Sequence, residues 1–273
     1  MKFQTMLLIL LALTVSLAMQ APQVSAQTIP FGRVYQQLTP AERSAFITEQ
    51  ARRIGREISG SEYEFTADFV GDIQQAVNQY ARRVGTNGSD LGKRDLRQVF
   101  ERGQAQAPTM IAAFRARNVS PLIGLYIPWI ESEYVNLESQ KPMGAIGMYQ
   151  FLPQTGERLG LSPQDLLDVG KSADAAARYI RESMGLFSGD PMKETMALLS
   201  YNRGGHKTAK ELKSVINEQN KQCSICALTA DRGKLDKTFR QESVYYVPLF
   251  FAAAIIGENP QAFGLPMQPL SSY

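Results

Sequence analysis

With 273 residues, 44% of them hydrophobic, the chain can bury a substantial core in one large domain or two small ones, which excludes a disordered tail. The formal net charge is +3 at pH 7, and basic residues such as Arg52, Arg53 and Arg56 alternate with Glu49 and Glu57 along a solvated helix face. That balance implies no nucleic-acid partner.

The first residues, "MKFQTMLLILLALTVSLAMQAPQVSAQ", carry a charged Lys2, an apolar run from Met6 to Met19 and a small-residue Val24-Ser25-Ala26 site. This is the pattern of an export signal over residues 1–26, cleaved after Ala26. A spanning helix needs about 20 apolar residues, and this run is shorter, ending at Gln20. The expected product is soluble, periplasmic or secreted, with no stable membrane anchor once the signal is removed. Loss of Lys2 leaves 28 basic against 26 acidic residues, a net charge of +2.

The remaining elements read as helices. Thr39-Pro40-Ala41-Glu42 has the cap, first-turn proline and returning glutamate of a helix start, with Phe46, Ile47, Ala51 and Ile54 following at helical spacing. Amphipathic helices are predicted over Phe65–Val84 and from Leu96 to about Ala116, separated by the breaker "GTNGSDLG". Residues 27–109 thus form an N-terminal helical region, followed by a second region over 110–273. Ser120-Pro121 opens a helix that directs Leu122, Ile123, Tyr126, Ile127 and Ile130 to a core and bends at Pro128, with Glu131 near its end. Ser162-Pro163 predicts a short helix, Asp190-Pro191 starts "MKETMALLSYN", and a last apolar element over Gln241–Ile256 is too short to span a membrane. No alternating strand pattern and no repeat is present, so the fold class is mainly α.

The two cysteines form "CSIC", Cys223 to Cys226, in the polar stretch from His206 to Arg240. A redox site needs a strand–helix context and a zinc site needs more ligands, whereas His206 is the only histidine. A local disulfide is favoured over two free thiols, and His206 reads as a surface residue just past a helix end.

Glu131 raises the chemical question. A carboxyl group at the end of an apolar helix is desolvated, which raises its pKa toward the range of a general acid. A helix-end glutamate is more commonly a solvated or capping residue, but the residues C-terminal to Glu131 alter that balance. Gly144, Gly147 and Gly156 permit turns and close approach of a ligand, while Tyr149, Gln150 and Thr155 offer uncharged polar and stacking surface suited to carbohydrate.

The segments "IPWIESEY", "GAIGMYQFLPQTGERLGL", "LLSYNRGG" and "QESVYYVPLFFAAAII", in this order, resemble the catalytic domain of the soluble lytic transglycosylase (SLT) family, in particular its membrane-bound lytic murein transglycosylase D branch. The resemblance covers roughly residues 110 to 264. It implies a lysozyme-like helical catalytic domain with an N-terminal helical extension. It also implies Glu131 as sole catalytic acid and base with Ser132 beside it. Gly147, Met148, Tyr149 and Gln150 would contact the sugar next to the cleaved bond, and Tyr201, Asn202 and Tyr246 would position substrate and tune Glu131. Each has an ordinary structural alternative: Met148 as core, Tyr201 and Tyr246 as packing on a helix face, Gln150 as a turn cap. Ser200 departs from the family's alanine and Tyr149 from its tryptophan or methionine, modest changes in size that bear on substrate preference more than on activity.

The implied substrate and partner is the peptidoglycan glycan strand, cut between N-acetylmuramic acid and N-acetylglucosamine with a 1,6-anhydro product and no metal or organic cofactor. Glu133, Glu138 and Glu157 are the nearby acids that a two-carboxylate mechanism would draw on. The alternatives are a water-using muramidase of the goose-lysozyme kind, or a noncatalytic wall-binding component of a secretion or conjugation apparatus. Cell-wall or secretion machinery is a further partner class.

Overall fold

The computed structural model describes residues 32–139 and 144–273, so the expected export segment and its cleavage site lie outside the described residues. Among the described residues the fold is mainly α, and the extended pairing consists of two isolated antiparallel bridges, Leu137 to Gly147 and Ile146 to Phe151.

The first helix, α1 (Pro40–Ser59), starts as its sequence predicts. Glu42 donates its N–H to the Thr39 hydroxyl at 3.3 Å, the Thr39 N–H returns to the Glu42 carboxylate at 2.7 Å, and Gly60 ends the helix at φ 74°. Helix α2 (Ala67–Ala81), capped by Thr66, is shorter at both ends than the predicted span, and α3 (Leu96–Ala116) is capped by Asp95. The expected division at residue 109/110 falls inside α3, which packs on both α4 (Pro121–Ser132) and α6 (Val169–Leu186).

Helix α4 is buried from Leu122 to Trp129. Pro128 has no N–H to give the carbonyl four residues back, Gly124. The Tyr149 hydroxyl donates to that carbonyl at 2.9 Å, so a side chain from a distant loop completes the helix.

Several elements differ from expectation. Ser162-Pro163 leads only to a 3-10 turn, Asp165–Leu167, and the long helix begins later as α6, capped by Asp168. The short α5 (Pro153–Arg158) and the helices α8 (Gly205–Val215), α9 (Ser224–Ala230) and α10 (Lys237–Gln241) also have no counterpart in the predicted elements. Helix α7 (Lys193–Arg203) matches "MKETMALLSYN" within a residue. Cys223 and Cys226 are disulfide-bonded, as favoured, at the start of α9, and Cys226 Sγ accepts the Thr66 N–H at the head of α2. His206 is exposed just after α7.

The last helix, α11 (Tyr246–Glu258), starts five residues later than predicted, after a 3-10 turn. Nearly all its residues are buried, because α1, α2, α4 and α7 surround it. Its polar end, Glu258, accepts from the hydroxyls of Tyr126 and Ser271 and from the Ser271 N–H. Among the described residues no helix is long and apolar enough to cross a membrane.

Candidate active site

Glu131 occupies the penultimate position of α4, where the buried helix reaches a cleft. It is partly buried, and the Tyr246 hydroxyl, from the first residue of α11, donates to its Oε1 at 2.7 Å. Burial pushes the carboxyl up to about 7, opposed by the Tyr246 hydrogen bond, which favours the charged form. The group is therefore divided between acid and carboxylate near neutral pH, as proton transfer in both directions needs.

Ser132 is fully buried and its hydroxyl donates to the Met148 carbonyl at 2.7 Å. The residue beside Glu131 thus ties α4 to the loop over residues 147–150. That loop is a tight turn: Ile146 and Phe151 exchange N–H to carbonyl bonds of 2.8 and 3.0 Å, and Gln150, at φ 51°, donates its amide to the Gly147 carbonyl. Gly147, at φ 78°, lies so close to Leu166 that a Cβ would stand 2.1 Å from the Leu166 carbonyl oxygen.

Two side chains of this loop are buried, contrary to expectation. Met148 is core, and Tyr149 has no exposed surface: its ring stacks on Phe114 and its hydroxyl is engaged by the carbonyl that Pro128 frees, so neither side chain is a sugar-facing platform. Ser132 likewise holds the backbone instead of meeting solvent. Gln150 caps its own turn and stays partly accessible.

Tyr201, on α7, donates its hydroxyl to the Tyr149 carbonyl at 2.8 Å and packs against Phe151 and Tyr179. Its hydroxyl is held well above its ordinary pKa by burial and then by the Glu131 charge, and Tyr246 is raised in the same way. Glu131, Tyr201 and Tyr246 thus form one electrostatic group. Asn202 is exposed beside Tyr201. Ser200 is buried, and its hydroxyl is satisfied by the Met196 carbonyl at 2.7 Å, which accommodates the polar group where the motif has alanine.

The acids of a two-carboxylate mechanism are placed elsewhere. Glu133 is buried and ion-paired with Arg83 at 2.6 Å and Arg94 at 3.4 Å, while Glu138 and Glu157 are exposed. Among the described residues no group of three or more His, Cys, Asp and Glu side chains is arranged to hold a metal ion.

The cleft beside Glu131, about 570 Å³, has a wall absent from the sequence motifs. Gln79, Arg82 and Arg83 from the end of α2, with Leu91 and Gly92, face Ile130, Glu131 and Leu249. The available signal was the helical spacing of these polar residues on the outer face of α2, the pattern of any solvated face.

Residues 108–223 match the family model of the transglycosylase SLT domain. The match supports the SLT family, and with it a glycan-cleaving activity of the lytic transglycosylase type with peptidoglycan as substrate. No curated protein matches the chain. The mainly α fold is consistent with a lysozyme-like SLT domain, and the matched segment carries Glu131, the 147–150 loop, Tyr201 and Asn202. Tyr246, which holds Glu131, and the α2 wall of the cleft lie outside it.

Proposed function

We propose that this chain is an exported lytic transglycosylase of the murein transglycosylase D kind, in which Glu131 alone acts as acid and then base on the bond between N-acetylmuramic acid and N-acetylglucosamine. The observation that carries the reading is a single accessible carboxyl, raised to about 7 by burial and oriented by Tyr246, in a cleft whose other carboxylate is locked to arginines. Protonated Glu131 gives its proton to the glycosidic oxygen as that oxygen leaves the anomeric carbon, and the substrate's N-acetyl oxygen bonds to the same carbon. Ionised Glu131 then takes the proton of the muramyl 6-hydroxyl, whose oxygen displaces the N-acetyl group. Glu131 ends protonated again and no water is consumed.

On the strength of the motifs, Gln150, Tyr201 and Asn202 are assigned to the subsite next to the cleaved bond, with Gly147, Met148, Tyr149 and Ser132 supporting them through the hydrogen bonds of the 147–150 turn. The helices before residue 110 supply the opposite wall. An oxidising, extracytoplasmic setting is in keeping with the Cys223–Cys226 disulfide. The proposed setting is therefore the periplasm or the exterior, with cell-wall or secretion machinery as the context.

The product tests this reading against a water-using muramidase. With no second carboxylate free to activate water on the far sugar face, an internal hydroxyl has the advantage of proximity. Mass spectrometry of digested peptidoglycan should show muropeptides lighter by one water than hydrolysed ones. A digest dominated by reducing muramic acid ends would reject the one-carboxylate mechanism.

Tyr246 acts through Glu131 as a positioning residue, and its removal has a predictable sign. The Tyr246 hydrogen bond favours the ionised carboxyl, so Tyr246→Phe should raise the Glu131 pKa further. In the parent, kcat/KM should fall about tenfold per pH unit above about 7, as the acid form is lost. In Tyr246→Phe that falling limb should move to higher pH. An unmoved limb, measured on purified sacculi from pH 5 to 9, would separate Tyr246 from the proton transfer.

A further inference from the structure

The cleft beside Glu131 carries more positive charge than its own contacts use. Arg83 and Arg94 both ion-pair with the one carboxylate of Glu133, and Arg102 donates to the Glu133 backbone carbonyl at 2.9 Å. Three guanidinium groups therefore converge on one negative charge, and the crowding lowers the Arg102 pKa through burial and then through Arg94. Arg82 adds a fourth. It lines the same cavity, its side chain is exposed, and among the described residues no hydrogen bond or ion pair reaches its guanidinium. The rest of that wall, Gln79, Leu91 and Gly92, is uncharged.

Resting on the glycan-cleaving reading above, we infer that Arg82, backed by the Arg83 end of this cluster, binds a carboxylate carried by the glycan strand, so that the cleft selects acid-bearing wall strands over neutral N-acetylglucosamine polymers. A planar guanidinium fork matches a carboxylate and forms charge-assisted hydrogen bonds, roughly twice as strong as neutral ones. A cavity of about 570 Å³ has room for such a substituent beside the sugar at Glu131. The chemistry gives the same direction. Positive charge develops at the anomeric carbon in the transition state, and surplus arginine charge nearby opposes it. A substrate anion seated on Arg82 offsets that opposition.

Wall strands offer this carboxylate from two sources, the acids of an intact peptide stem or the lactyl acid exposed when the stem is stripped off. Equilibrium binding to the full chain in the Glu131→Gln background, which prevents turnover, separates them with three probes: peptide-bearing strands, peptide-stripped strands and neutral chitohexaose. Adding Arg82→Gln should weaken one or both acid-bearing probes about tenfold, the loss of a charge-assisted contact, and chitohexaose by less than about twofold. The probe that loses affinity identifies the source. Arg82→Lys should restore most of the loss, and high salt should reproduce it in the parent. Equal weakening of all three probes, or of none, would overturn the assignment. If the parent binds none of the three, the glycan reading itself falls, and this inference with it. An unchanged melting temperature for Arg82→Gln, expected for an exposed side chain, excludes unfolding as the cause.

Discussion

Glu131→Gln should reduce peptidoglycan cleavage by about a thousandfold or more, since a positioned acid–base group contributes roughly 10²–10⁴-fold and in the proposed mechanism one group serves both steps. The amide keeps the shape and can still accept from the Tyr246 hydroxyl, so folding and strand binding should survive. No neighbouring acid is placed to take over, because Glu133 is held by Arg83 and Arg94 and Glu138 and Glu157 face solvent away from the cleft lining. Turnover of purified sacculi is the measurement, and activity near the parent's would remove Glu131 from the mechanism. The same variant should melt at a higher temperature than the parent in alkali. Burial raises the carboxyl from its ordinary 4.5 to about 7, so between those values the folded chain holds a proton that the unfolded chain has released. The parent therefore loses stability as pH rises from about 4.5 to about 7 and does not regain it above. Glutamine carries no such proton, so the gap in melting temperature should be present at pH 8 and closed at pH 4.

The parts of this architecture that rest on neighbours in the chain were legible. The Thr39–Glu42 exchange, the span of α3 and the place of Glu131 at the end of an apolar helix all follow from local spacing and capping. Helix α6 was not legible, because its buried face is built from Ser172, Ala173, Ala175, Ala176, Ala177 and Ser183 with Ile180. Small residues give little hydrophobic contrast between the two sides of a helix. Tyr149 misled for a different reason. A tyrosine among glycines and amides looks like a carbohydrate platform, but the acceptor that claims its hydroxyl, the Gly124 carbonyl freed by Pro128, lies 25 residues away in the chain. The α2 wall depends likewise on contact with α11, a partner more than 150 residues distant, so the pattern of α2 alone shows only which residues face outward.

Gly147→Ala should be the most damaging single methyl in the site. Two costs add: alanine is strained at φ 78°, by about 1–2 kcal/mol, and its Cβ would sit 2.1 Å from a backbone oxygen, Leu166, that no rotamer change can move. Relief requires the 147–150 turn to shift. That turn presents the Met148 carbonyl to Ser132, next to Glu131, and the Tyr149 carbonyl to Tyr201. A shift of about 1 Å at a reacting geometry costs on the order of a hundredfold in rate, so activity should fall at least that far. Stability should fall by about 3 kcal/mol or more, roughly 6–12 °C in melting temperature for a chain of this size. Gly160→Ala is the control. Gly160 has nearly the same φ, 77°, but nothing lies within 4 Å of its Cβ position, so it should show the conformational cost alone, about 1–2 kcal/mol, with activity close to the parent's. Equal melting temperatures for the two variants would mean that the approach of Leu166 does not constrain the turn, and that Glu131 is positioned without it.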